Sequence, residues 1–323
     1  MIIFVHKCIF LYIYCFVYVR RVHFFMDKLF EINQYLPEKI RERYQYFIQA
    51  GYQIEEIRIG AKLPVIFITN KGKINTDIIV SKDEVEEAME YMTNYSLYSY
   101  EKEIKEGFFT LKGGHRIGVA GKAVYEDGIL KRVIDISAIN IRVCHDYKNN
   151  FEINHIEEYI EDENILIISP PGFGKTTLLR KLARTCSDEL YRKVVVVDER
   201  NEIAGNYNGE SVIYIGKMTF VLSGYSKEYG IMSAIRSLSP EYIIVDEIGS
   251  NKDMDAIYDA TKCGVKVIAT VHGKNLEDIL DRRWLKKAVD DKQFGRYIII
   301  SKDHSMRKVE IYDREFIKIC YML

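Results

Sequence analysis

The stretch ILIISPPGFGKTT, residues 165–177, decides the reading of this chain. A continuous apolar strand ends at Ser169, two prolines follow, and Gly172-Phe173-Gly174-Lys175-Thr176-Thr177 opens a helix. Strand, glycine-rich loop, Gly-Lys-Thr and helix in that order form a loop that cradles phosphate groups. Gly172 and Gly174 can take positive φ and let backbone N–H groups approach an anion closely. Lys175 is placed to reach β- and γ-phosphates, and Thr176 to put its hydroxyl on Mg²⁺. The helix N-terminus adds partial positive charge. The candidate binding set is Pro171, Gly172, Phe173, Gly174, Lys175, Thr176 and Thr177. Ser169 stands where such loops usually begin with glycine, and at a strand end a small residue suffices.

Outward from this loop, three more apolar strands end in reactive side chains. YIIVDE (242–247) brings Asp246 to the magnesium shell and Glu247 to an attacking water. VVVVDERNE (194–202) makes Glu199 a second candidate for orienting that water; the cluster also reads as solvated charges with Arg200 paired to Glu202. ATVHG (269–273) offers His272, either a γ-phosphate sensor or a structural histidine. The strands alternate with helical segments from Gly174 and near 228–238, 252–262 and 275–288. That rhythm predicts an α/β domain whose mostly parallel sheet is covered by helices on both faces. Ligands bind such sheets at the carboxyl ends of the strands, where all four segments finish. YIIIS (297–301) and KVEIYD (308–313) read as a closing antiparallel hairpin.

The first half has a different rhythm and predicts a smaller α+β domain over 26–150, ahead of an ATPase domain over 151–323. Residues 27–50 read as a helix broken near Pro37 and stopped at Gly51, and 54–59 and 64–69 as two strands. Ser81 and Glu84 form a capping box for a helix carrying Val85, Met89 and Met92. Beyond Gly107 the chain is strand-rich, with Asp127-Gly128 as a hairpin turn between two β-patterned runs. A polar stretch near 146–163 separates the halves.

Residues 1–25, MIIFVHKCIFLYIYCFVYVRRVHFF, form an apolar extension. Their uncharged run is shorter than the about 20 residues of a spanning helix, and His6 and Lys7 interrupt it. They read as upstream DNA translated before a true start at Met26, as a membrane anchor with Arg20 and Arg21 on the cytoplasmic side, or as a buried arm.

Composition narrows the classes. Lys plus Arg is 46 against 47 Asp plus Glu, a net charge of −1, which excludes a generally basic nucleic-acid coat and an acidic disordered tail. The 6 cysteines form no CxxC pair and no His lies at ligand spacing, which argues against zinc and fits a reducing cytosol. Leu222-Ser223-Gly224 looks like the signature loop of ABC-transporter ATPases, but Tyr225-Ser226 and Ile248-Gly249 depart from that pattern and Leu222 lies too soon after Lys175.

The ordered set SLYSYEKEIKEGFFTLKGGHRIGVAGKAVYEDG (96–128), ISAINIRV (136–143), SPPGFGKTTLLR (169–180), VVDERNEIAG (196–205), IRSLSPEYIIVDEIG (235–249) and ATVHG (269–273) resembles the stage III sporulation protein AA family. The resemblance runs from about Leu29 to the C-terminus. It implies a RecA-like P-loop ATPase of the type II and type IV secretion and pilus-motor group, using ATP and Mg²⁺. It also implies a ring, usually a hexamer, in which arginines of the amino-terminal domain reach the neighbour's nucleotide; Arg116 and Arg142 are the candidates. The biology implied is that of a mother-cell cytoplasmic protein at the membranes around the forespore, powering a secretion-like channel during endospore formation. Met218 and Phe220 stand where the family tends to have Arg and Asp, which leaves that loop without an expected role. Two rivals stand beside this motor: a nucleotide-gated ring scaffold with little turnover, and a nucleic-acid-dependent RecA-like ATPase using Lys112, Arg116, Lys122, Lys131, Arg132 and Arg142. Without a Lys/Arg run, no nucleic-acid partner is expected.

Overall fold

The computed structural model describes residues 32–145, 156–207, 209–303 and 306–322. The readings of residues 1–25 lie outside these. The chain forms two compact units, divided between His145 and Asp146.

The first unit is an antiparallel sheet of six strands covered by helices on one face. Helix α1 (Glu38–Gln49) starts directly after Pro37, whose fixed φ suits a helix boundary. Strands β1 (Ile54–Gly60), β2 (Pro64–Thr69) and β3 (Gly72–Ile79) follow as a meander. Helix α2 (Lys82–Met92) opens with the expected capping box: Ser81 Oγ accepts the Glu84 N–H at 3.1 Å and Glu84 Oε2 accepts the Ser81 N–H at 2.7 Å. After α3 (Glu101–Lys105) come β4 (Phe108–Thr110), β5 (Arg116–Glu126) and β6 (Ile129–Arg142), giving the order β3-β2-β1-β6-β5-β4. Asp127 and Gly128, both at positive φ, make the two-residue turn between β5 and β6. The runs ILKRVIDI and INIRV belong to one strand, β6. Period-two patterning separates the faces. Ile57, Phe67, Ile117, Ile139 and Ile141 pack under Ile40, Tyr44 and Phe47 of α1 and Val85, Met89 and Met92 of α2. The opposite face carries Glu56, Arg58, Asn140, Arg142 and Arg116 in register.

The second unit is the α/β core. It begins with α4 (Glu157–Ile160) and β7 (Ile165–Ser169), then α5 (Lys175–Arg184) and β8 (Val194–Asp198). A short hairpin of β9 (Asn206–Tyr207) and β10 (Glu210–Ser211) precedes β11 (Thr219–Ser223), α6 (Lys227–Ser237), β12 (Tyr242–Val245), α7 (Asn251–Lys262) and β13 (Lys266–His272). Helices α8 (Leu276–Leu280) and α9 (Arg283–Asp290) lead to β14 (Arg296–Asp303), β15 (Met306–Asp313) and β16 (Lys318–Met322). The sheet order is β11-β8-β12-β13-β7-β14-β15-β16, parallel from β11 to β14 and antiparallel beyond. Val195, Val197, Ile243, Val245, Val267 and Ala269 pack with α6, α7 and α9, while Val194, Val196, Ile244 and Ile268 on the other face are equally buried. Burial on both faces is why these strands read as unbroken apolar runs.

The structure differs from the sequence reading in several elements. Strands β3, β9, β10, β11 and β16 and the short helices α3 and α4 add to those the sequence predicts. β3, β11 and β16 are all edge strands with a single neighbour in their sheets; β3 carries mostly exposed residues, and the apolar runs of β11 and β16 are short. The helix expected over 275–288 is two helices, interrupted where Arg282 takes an extended conformation (φ −90°, ψ 112°). Among the described residues no helix is long and apolar enough to cross a membrane.

Candidate active site

The expected strand ends meet at one edge of the second unit. Gly172 (φ 76°) and Gly174 (φ 99°) both sit at positive φ, which turns the loop from β7 into α5. Lys175, the first residue of α5, folds back over this loop. Its Nζ donates to the carbonyls of Ser169 (3.2 Å) and Pro170 (3.3 Å) and lies 3.0 Å from His272 Nδ1. Burial pulls the Lys175 pKa down, against the attraction of Asp246 and Glu247.

Asp246 and Glu247 follow β12. Thr176 Oγ1 donates to Asp246 Oδ2 at 3.3 Å, and the Thr270 hydroxyl donates to Asp246 Oδ1. The same Thr270 oxygen accepts the Glu247 N–H at 2.8 Å, and the Ile248 N–H reaches the Thr270 carbonyl at 2.9 Å. Strand β13 thus pins the backbone just past β12. Glu247 adopts φ 52°, a conformation most side chains avoid and one concentrated at functional sites. The turn lets two consecutive carboxylates serve one site, which a regular strand would send to opposite faces. Glu247 Oε1 lies 2.8 Å from His272 Nε2 and Oε2 lies 2.7 Å from an Arg200 guanidinium nitrogen. An ammonium can only donate, so His272 accepts at Nδ1 and donates to Glu247 at Nε2.

Arg200 is therefore not paired with Glu202, as its sequence neighbourhood suggests. Glu202 is tied instead through its backbone: its N–H donates to Asp198 Oδ1 at 2.8 Å and its carbonyl accepts from Arg180 at 2.7 Å. Glu199 forms an ion pair with Lys227, the first residue of α6. Lys227 is 8% exposed, and it lines a small cleft with Asp198, Glu199, Arg200, Glu202, Asp246 and Glu247. Gly230 explains how it gets there. A Cβ on Gly230 would collide with the Val197 side chain, so only glycine lets α6 lie this close to β8. Gly230→Ala should cost about 1–3 kcal/mol in chemical denaturation and separate Lys227 from Glu199.

Asp198 has no role in the sequence reading, yet the loop after β8 is built around it. It is 2% exposed and accepts from the N–H groups of Glu202 (2.8 Å), Ile203 (3.0 Å) and Ala204 (2.8 Å). Arg180 of α5 clasps the same loop through the carbonyls of Ile203 and Glu202. Burial pushes the Asp198 carboxyl up to about 6, against the pull of the Ala204 and Ile203 N–H groups. Its signal was a carboxylate closing an all-valine strand, the place where a buried acceptor is needed. Thr270 and Lys227 left no comparable mark. Arg116 and Arg142 lie in the first unit, directly opposite each other on β5 and β6, with the Arg116 guanidinium 3.7 Å from the Phe108 ring centre.

A parallel sheet with a glycine-bounded phosphate loop on its first strand, and acidic and histidine side chains on the neighbouring strands, has the RecA-like P-loop NTPase fold. Solved structures agree on the fold. The Legionella pneumophila ATPase DotB aligns with TM-score 0.58 and 18% identity over 86% of this chain and 81% of that one. The pilus retraction motor PilT, solved with bound ADP, aligns with TM-score 0.57 and 15% identity over 84% of this chain and 81% of its own. The family described as "Sporulation stage III, protein AA" matches residues 26–319. Stage III sporulation protein AA of Bacillus subtilis (strain 168) is 36% identical over 294 residues, covering 88% of this chain and 95% of that protein. The chain belongs to the stage III sporulation protein AA family.

Proposed function

We propose that the chain is an ATP-hydrolysing motor of the secretion-ATPase type. The supporting observation is the contact chain Lys175–His272–Glu247, which links the phosphate loop to the carboxylate best placed to handle water. In this reading residues 171–177 hold the phosphates, with Lys175 turning its ammonium from the loop carbonyls to the ligand. The Thr176 hydroxyl and the Asp246 carboxylate, already in contact, suit a hard cation such as Mg²⁺. When bound, that ion would neutralise phosphate charge. Glu247 orients the attacking water, with Glu199 the alternative, and His272 reports the state of the γ-phosphate. Arg116 and Arg142 serve the nucleotide of a neighbouring copy in a hexameric ring. By family, the motor works in the mother-cell cytoplasm against membrane-embedded channel proteins during endospore formation.

Turnover per subunit measured against protein concentration tests this. A steep rise is expected, because sites completed by a neighbour's arginines need assembly, and Arg116→Ala should flatten it. No turnover at any concentration, in a chain that binds ATP, would sink the motor and leave a nucleotide-gated scaffold. That second reading draws on both oxygens of Glu247 being engaged.

A further inference from the structure

The contact chain does not stop at Glu247. From Lys175 through His272 and Glu247 to Arg200 it makes three contacts of 3.0, 2.8 and 2.7 Å. His272, Glu247 and Arg200 lie at or just past the ends of β13, β12 and β8, and Lys175 opens the helix that follows β7; these four strands are successive neighbours in the sheet. The line therefore crosses the whole candidate site at one contact per strand step.

Each contact has a consequence for an entering polyphosphate. An ammonium has three N–H donors, and Lys175 points them at Ser169 O, Pro170 O and His272 Nδ1. A phosphate that engages Lys175 must displace at least one. The two carbonyls belong to the lysine's own loop, so His272 is the acceptor whose loss is transmitted to another strand. Glu247 is then held on its second side by Arg200. The Arg200 side chain is 55% exposed and that of Glu247 24%, so their bond contributes little to folding stability. A weak, well-aligned contact on a carboxylate with unusual backbone geometry orients it reversibly, and a ligand can shift such a balance. While it lasts, each carboxylate oxygen is held by a protein donor, Oε1 by His272 and Oε2 by Arg200, so these two side chains set the direction in which the carboxylate points.

We propose that Arg200 is a positioning residue that stores Glu247 in an inactive orientation until the phosphate loop is filled. The inference rests on the ATPase reading above, with Glu247 as the group that handles water. Removing the guanidinium should free the carboxylate without touching the phosphate loop. The effect would fall on kcat and leave nucleotide affinity alone, which general loss of structure would not do.

The test uses the full chain, with ATP turnover and binding of a non-hydrolysable ATP analogue measured in parallel. Arg200→Gln should turn over saturating ATP about fivefold faster than the parent, with analogue affinity within about twofold. Arg200→Lys keeps a cation beside Glu247 and should fall back towards the parent rate. Turnover of Arg200→Gln that is equal to or below the parent, with analogue binding intact, overturns the proposal. Failure of the ATPase reading has its own signature: neither the parent nor Arg200→Gln exceeds Lys175→Ala, and that result overturns both. A parent no faster than Lys175→Ala beside an active Arg200→Gln supports storage directly.

Discussion

Lys175→Ala should abolish ATP turnover, with a loss of at least about a hundredfold, and weaken nucleotide binding while leaving the fold intact. The argument is geometric. Lys175 sits at the start of α5, behind a loop whose two glycines take positive φ. It supplies the side-chain positive charge at that loop. Its present partners are two loop carbonyls and His272. These bonds tie the first residue of α5 to the ends of β7 and β13, but the burial of Leu178, Leu179 and Leu182 anchors the rest of the helix without them. Burial already depresses the lysine's pKa, so an alanine relieves a desolvation cost as it loses the hydrogen bonds. Thermal melts should therefore nearly superimpose while turnover vanishes. A variant that retained turnover would remove the phosphate loop from the chemistry.

Asp198→Ala should have the largest effect on stability, about 3–5 kcal/mol in chemical denaturation, because two buried N–H donors and one half-buried one lose their acceptor. The loop from Glu199 to Ala204 would lose the centre it wraps, and with it the placement of Arg200 and Glu199. Asp198→Asn separates charge from packing. In the folded chain the carboxyl keeps its proton up to a pH of about 6, against an ordinary value of 3.8. Between those values the folded state binds more protons than the unfolded one, so stability falls as pH rises from about 4 to about 6, by about 3 kcal/mol. The Asn variant should lack this component. Denaturation midpoints of both proteins across that range would show it, and parallel profiles would refute it.

How much of this was legible in the chain depends on how local the physics is. The phosphate loop is written in contiguous residues, because positive φ at Gly172 and Gly174 and a helix start at Lys175 are local requirements. The parallel strands were legible because burial on both faces demands unbroken apolar runs. Edge strands such as β3 and β11 face water on one side and blurred into loop.

Pairings between strand ends follow another logic. Arg200 reads naturally as a partner for Glu202, two residues away, yet it meets Glu247, because β8 and β12 are sheet neighbours and the Glu202 backbone is turned inward onto Asp198. Lys227 reaches Glu199 only because Gly230 lets α6 lie against Val197. Fold class, the glycine loop, and which strand ends carry carboxylates and histidine can all be read from residues adjacent in the chain. Which charges pair, which carboxylate is buried, and which hydroxyls hold Asp246 follow from strand order and helix approach across long sequence separations, and only the folded chain shows them.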